Sequence, residues 1–215
     1  MSSESPGDKV SIFDQNPAGD VVPESPLHHC HPATAGGDAN GGVRLGEKPF
    51  LGHLSLRGDA GDEDFRRAVA EALGTELPLE PLTVNRTDEV SAQWISPDEW
   101  LILVPGGREH PLELAMRQRL QGHYSIVNVS GGQTVITLSG PNARDVLMKS
   151  APYDFHPRHF PVGKAVLTVF AKASANVRRI GEDEWELVIR RSFADYCWRW
   201  LNDASAEYGL AERAP

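Results

Sequence analysis

The sequence predicts an α+β fold built from two related halves, each a small antiparallel sheet with helices on one face. Three observations predict it. Asp98-Glu99-Trp100-Leu101-Ile102-Leu103-Val104 and Asp183-Glu184-Trp185-Glu186-Leu187-Val188-Ile189 share Asp-Glu-Trp, then an apolar strand, then a helix. The order helix, strands, helix recurs on both sides of a central stretch, Tyr124 to Ser150. A parallel sheet would need a helix between successive strands, and the residues between Trp94 and Trp100 leave no room for one.

Residues 1–46 are dominated by Ser, Pro, Gly and Asp and carry little periodicity. They read as an N-terminal arm, flexible or laid along a partner, because too little apolar surface is present to offset roughly 1–2 kcal/mol per ordered residue. Residues 47–215 read as one globular domain with pseudo-repeated halves at about 49–122 and 124–209. In the first half, Phe50, Gly52, Leu54 and Leu56 mark a strand, and Phe65, Ala68, Val69, Ala72 and Leu73 form the apolar stripe of a helix stopped by Gly74. Val90, Ala92 and Trp94 alternate as in a half-buried strand, and Trp100 to Val104 is a continuously buried one. Leu112, Ala115, Met116 and Leu120 mark a second helix, closed by Gly122.

At the centre, Tyr124 to Val129 and Gln133 to Leu138 are separated by Ser130-Gly131-Gly132, the spacing of a hairpin. Ser139 or Gly140 is expected to cap the next helix, with Pro141 in its first position and Ala143, Val146 and Leu147 on its buried face. Strands are expected at Val166 to Ala171, Val177 to Ile180 and Trp185 to Arg190. Ser192 is expected to cap a last helix with Phe193, Cys197, Trp200, Leu201 and Ala204 buried, ended by Gly209. Tyr196 and Trp198 fall off that stripe, so either the helix is covered on two sides or an aromatic patch faces a partner. Trp100, Trp185 and Trp200 read as core.

Composition excludes several classes of function. With 21 basic and 30 acidic residues the formal charge is −9, so no basic excess exists to displace counterions from a nucleic acid. Cys30 and Cys197 form no CxxC, no apolar run approaches a membrane span, and the N-terminal MSSESPGDKV is no signal peptide, so a cytoplasmic location is expected. No P-loop, GxGxxG, GxSxG or HExxH is present.

Three clusters remain as candidate sites. Asp154-Phe155-His156-Pro157-Arg158-His159-Phe160 places a carboxylate beside two histidines, which suits base catalysis or a metal; its plainer reading is a Pro-stiffened loop anchored by Phe155 and Phe160. Leu27-His28-His29-Cys30-His31 has four ligand types in a row, but adjacent side chains of an extended chain point apart, so it reads as a solvated cluster. Arg190 and Arg191, at a strand end beside a helix, can receive a carboxylate or phosphate; pairing with acidic groups of this chain or a partner is preferred, because Arg forks are common at desolvated interfaces. No catalytic, cofactor-binding or metal residue is assigned on this chain. Arg190, Arg191, Tyr196 and Trp198 are the candidate interface.

Taken together, Ser96-Pro97-Asp98-Glu99-Trp100, VSGGQTVITLSGPNARDVL, DFHPRHFPVGKAVLTVFAK and the RRSFADYCWRWL helix resemble the gamma subunit of heterotetrameric sarcosine oxidases, over roughly 49–209. The resemblance implies a duplicated ferredoxin-like architecture, like the folate-binding part of glycine-cleavage aminomethyltransferases. It also implies a non-catalytic structural role in a complex with alpha, beta and delta subunits, alpha being the expected main contact. That complex oxidises sarcosine to glycine with oxygen, giving hydrogen peroxide and either formaldehyde or 5,10-methylenetetrahydrofolate. FAD, FMN, NAD and zinc are implied on the other subunits, with tetrahydrofolate as one-carbon acceptor. The alternative is a free-standing tetrahydrofolate-binding, aminomethyltransferase-like protein.

Overall fold

The computed structural model describes residues 23–30 and 41–212. Most of the expected arm, His31 and residues 213–215 lie outside the described residues. The first half contains β2 (Gly52–Arg57), α1 (Glu63–Leu73), β3 (Val84–Arg86), β4 (Ser91–Ser96), β5 (Glu99–Val104), α2 (Glu109–Arg119) and β6 (Ser125–Asn128). The second contains β7 (Gln133–Ser139), α3 (Ala143–Ser150), β8 (Ala165–Phe170), β9 (Ala173–Arg179), β10 (Glu184–Arg190), α4 (Ala194–Ser205) and β11 (Leu210–Glu212). Ahead of both comes β1 (Val43–Lys48), which starts inside the stretch read as the arm.

The strand orders are β3-β4-β5-β2-β6 in one sheet and β11-β1-β7-β10-β9-β8 in the other. Within the first, β2-α1-β4-β5-α2-β6 gives the ferredoxin-like βαββαβ order, with β3 added at the edge. The second repeats it element for element, β8 corresponding to β3 and β10 to β5, until the last position. There β1 lies antiparallel against β7 where β6 lies against β2, and β11 then adds parallel to β1. The duplication is therefore real, but β1, from ahead of the first half, fills the final seat of the second.

Each sheet covers its helices with one face and the other sheet with the opposite face, because side chains alternate along a strand. On β5, Trp100, Ile102 and Val104 pack with Phe65, Val69 and Leu73 of α1 and Met116 of α2. On β10, Trp185, Leu187 and Ile189 pack with Val146 and Leu147 of α3 and Cys197, Trp198 and Leu201 of α4. Leu101 and Leu103 face Val135 and Val188 between the sheets. This explains why β4, expected to be half-buried, has Ser91, Ala92 and Gln93 all buried.

Polar side chains complete the layer between the sheets. Gln93 Nε2 donates to Asn176 Oδ1 at 2.6 Å, and Arg178 Nη1 to Ser91 Oγ at 2.9 Å. Arg178 also pairs with Glu186, which accepts from Lys48 Nζ at 2.6 Å. Burial alone would raise the Glu186 carboxyl, but Arg178 and Lys48 outweigh it and hold it below the usual carboxylate range.

Three local expectations need correction. The hairpin around Ser130-Gly131-Gly132 does not form: β6 pairs with β2, whereas β7 has both edges taken by β1 and β10. A 3-10 turn, Ser130–Gly132, carries the chain from one sheet to the other, so the halves meet there rather than near residue 123. Pro141 does not open α3. Gly140, at φ 110, sits so close to Gly42 that an added Cβ would lie 2.5 Å from its carbonyl oxygen, and the helix starts after Asn142. Nor does Ser192 cap the last helix, since a 3-10 turn at Arg191–Phe193 precedes α4 and its flanking Phe193 makes no side-chain cap bond.

Part of the expected arm is core. Leu27 is fully buried beside Val43 and Leu45, and Ser25 and Thr134 both hydrogen-bond to the buried Glu47. Leu27→Ala should cost about 2–5 kcal/mol in urea unfolding, the usual range for emptying a core site. Glu186→Ala should cost about 3–5 kcal/mol by the same measurement, because it strands the buried Arg178 charge.

Candidate functional site

The Asp154–Phe160 loop takes the structural of its two readings. Phe155 and Phe160 stack at 5.5 Å and both pack edge-on against Trp185. Arg179 holds the loop from below, donating to Phe160 O at 2.8 Å. The polar residues serve the backbone: Asp154 Oδ1 accepts from His156 N at 2.8 Å, and His156 Nδ1 accepts from Arg158 N at 3.2 Å. His159 lies 3.8 Å from Asp154, with both side chains largely exposed.

The last helix is rotated by about one residue from the expected stripe. Its buried residues are Ala194, Cys197, Trp198, Leu201 and Ser205. Trp198 is thus core, at 3% exposure, and is withdrawn from the candidate interface. Phe193 and Trp200, expected in the core, are 42% and 36% exposed. The even spread of aromatics around this helix hides its phase: several phases bury some rings, and the one adopted brings the small Ala194 against the sheet. Trp200 Nε1 donates to Ser150 Oγ on α3 at 3.1 Å, and the half-buried Tyr196 ring lies 6.5 Å from that of Trp200. The outward aromatic face therefore consists of Phe193, Tyr196 and Trp200.

Arg190 and Arg191 are both exposed and form no ion pair with the described residues. They edge a cleft of about 570 Å³ shared with Pro26, His28, His29 and Gly131. Arg191 also borders a second cleft of about 490 Å³, with Glu24, Phe50, Leu51, Glu109 and Gln133. Phe50 is 52% exposed and is held in a left-handed conformation, φ 58, between β1 and β2. One Glu109 carboxylate oxygen is buried without a hydrogen-bond partner among the described residues. A basic corner, an exposed aromatic ring and an acidic wall thus lie beside one another.

Pro23–Cys30 ends in a turn rather than an extended run. His28 N donates to Ser25 O at 3.2 Å and Cys30 N to Leu27 O at 2.8 Å. It brings His29 and Cys30 against Asp195 in the first turn of α4, a juxtaposition that spacing could not disclose because Asp195 is remote in sequence. Burial first, and then Asp195, push the Cys30 thiol up to about 11. Asp195 is held below the usual carboxylate range by Arg199 first and then Cys30.

Among the described residues no imidazole is hydrogen-bonded to a hydroxyl or thiol. Ser130 Oγ touches the backbone of His53, whose ring bonds instead to Gln133 Oε1 at 2.8 Å. Burial pushes His53 below its ordinary value.

The family model described as sarcosine oxidase, gamma subunit family matches residues 57–207. This chain belongs to that family. Sarcosine oxidase subunit gamma of Corynebacterium sp. (strain P-1) is 37% identical over 188 residues, covering 87% of this chain and 92% of the relative. A chain of the heterotetrameric sarcosine oxidase from Corynebacterium sp. U-96, solved in complex with pyrrole 2-carboxylate, is 32% identical with a TM-score of 0.79. That match covers 86% of this chain and 96% of the other. Glycine cleavage system aminomethyltransferase T from Bartonella henselae shares the fold, with a TM-score of 0.62 at 12% identity over 88% of this chain and 58% of its own. The expected membership and architecture are both borne out.

His53 has a sign-definite consequence. Its unfolded form titrates near an ordinary value of about 6.5 and its folded form lower, so the unfolded state binds more protons as pH falls. Its stabilising contribution is complete above the unfolded value and shrinks as pH drops toward the folded one. Urea unfolding at about pH 7.5 and about pH 5.5 should show a loss of stability on acidification, and His53→Gln should reduce that loss.

Proposed function

We propose that this chain is a non-catalytic structural subunit of a heterotetrameric sarcosine oxidase, with alpha as its main partner and beta and delta completing the assembly. The observation that carries the reading is the near-complete overlap with a chain of the solved heterotetrameric enzyme. In this reading FAD, FMN, NAD and zinc belong to the other subunits. The complex converts sarcosine, oxygen and water to glycine, formaldehyde and hydrogen peroxide, or passes the one-carbon unit to tetrahydrofolate. This chain contributes shape and charge to that assembly.

The surface that suits docking joins the Arg190 and Arg191 corner to the outward face of α4. Stable docking needs on the order of 800 Å² per partner, with aromatic and Arg anchors at its centre. Phe193, Tyr196 and Trp200 supply the aromatic surface, and two arginines without intramolecular ion pairs among the described residues supply groups for a partner's carboxylates. The same surface lies on the helical side of the second sheet, which leaves the two-sheet core undisturbed on docking.

Co-expression of the full chain with the three partner subunits should yield one co-eluting complex, and the separate chain should carry neither flavin nor turnover. Arg190→Glu with Arg191→Glu should weaken assembly by about tenfold or more, with stronger salt dependence in the unaltered protein. Elution apart from the partners, or micromolar tetrahydrofolate binding by the separate chain, would overturn the proposal.

A further inference from the structure

We propose that His29, Cys30 and Asp195 form a binding site for one divalent cation of zinc-like chemistry. The site is independent of the subunit assignment above. Its ligand atoms, an imidazole nitrogen, a thiol sulfur and a carboxylate oxygen, lie within 4.8 Å of one another. His29 Nε2 and Cys30 Sγ are each 3.3 Å from Asp195 Oδ1. Ligands bound tetrahedrally to zinc at about 2.0–2.3 Å lie roughly 3.3–3.6 Å from one another, so the two measured edges are already near that length.

Three further features favour a cation over a chance cluster. The donor set of N, S and O is what a borderline ion selects, whereas a hard ion such as magnesium prefers oxygen alone. The ligands are held in place: Leu27 anchors the turn in the core, two backbone bonds fix it, and Asp195 rides on a regular helix. Finally, His29, Cys30 and Arg199 all converge on Oδ1 of Asp195, so a single carboxylate oxygen already faces both other ligand atoms. The site keeps an open side, since His29 and Asp195 are 49% and 42% exposed, and a water can complete the coordination.

Binding replaces the thiol proton with the metal: the S–H bond breaks, a proton leaves to solvent and an S–metal bond forms. The ion would then tie the turn at residues 25–30 to the start of α4, on the same surface as Phe193 and Arg191.

Cobalt(II) titration of the chelator-treated full chain reads the site directly through the thiolate-to-cobalt charge-transfer band. We expect one equivalent bound, with zinc displacing it. Cys30→Ser should abolish the band, and Cys30→Ser and Asp195→Asn should each weaken binding by about tenfold or more, while His156→Ala with His159→Ala leaves it unchanged. In the assembled complex, Cys30→Ser should lower total zinc by one equivalent. Circular dichroism of each metal-free variant separates ligand loss from misfolding. The proposal fails if no charge-transfer band appears, if band and affinity survive both Cys30→Ser and Asp195→Asn, or if binding follows the His156 and His159 pair.

Discussion

An unpaired edge on β7 is the constraint from which the architecture of this chain follows. In the first half, β2 has β5 on one side and β6 on the other, all within one continuous stretch of sequence. The second half repeats the pattern, but the strand described after α4, β11, does not pair with β7. The longer β1 takes that seat, pairing from Arg44 with Ser139 to Lys48 with Val135, and β11 is left to line its outer side. Main-chain groups of a central strand that would otherwise lack partners are thereby satisfied.

The two sheets then meet across a layer that is only partly apolar. Leu101, Leu103, Val135 and Val188 form a small greasy patch, and around it lie an Arg178–Glu186–Lys48 cluster and the Gln93–Asn176 bond. Apolar side chains tolerate sliding, because any close packing of similar area serves nearly as well. A buried guanidinium between a carboxylate and a serine does not, since a shift strands a charge. The helical faces supply the bulk of the burial, while the middle layer sets how one half sits on the other.

The sequence disclosed the parts whose cause is local. The α1 stripe and its Gly74 stop, the buried β5 and β10 with their paired tryptophans, and the anchoring phenylalanines of the Asp154–Phe160 loop were all legible from spacing. What was not legible depends on partners distant in sequence. β1 looks like the tail of a polar arm because three of its six residues are charged and one is glycine. The glycine pair at Gly131 and Gly132 has the chemistry of a hairpin, and nothing nearby says that β7 is already paired on both edges. Trp198 and Trp200 exchange roles because a helix so rich in rings has no single polar face, and Asp195 joins His29 and Cys30 through folding alone.

The chain passes between the sheets twice, from Lys48 to Gly52 and from Asn128 to Gln133, and the crossings lie side by side: Val129 N donates to His53 O at 2.9 Å, and His53 N to Ser130 Oγ. The covalent links are therefore gathered at one end of the sandwich. The far end is closed by side-chain bonds such as Gln93–Asn176 and Arg178–Ser91, together with the bridge from Thr83 to Lys164. Local opening is therefore expected to start at that noncovalently closed margin, while the two covalent crossings hold the other together.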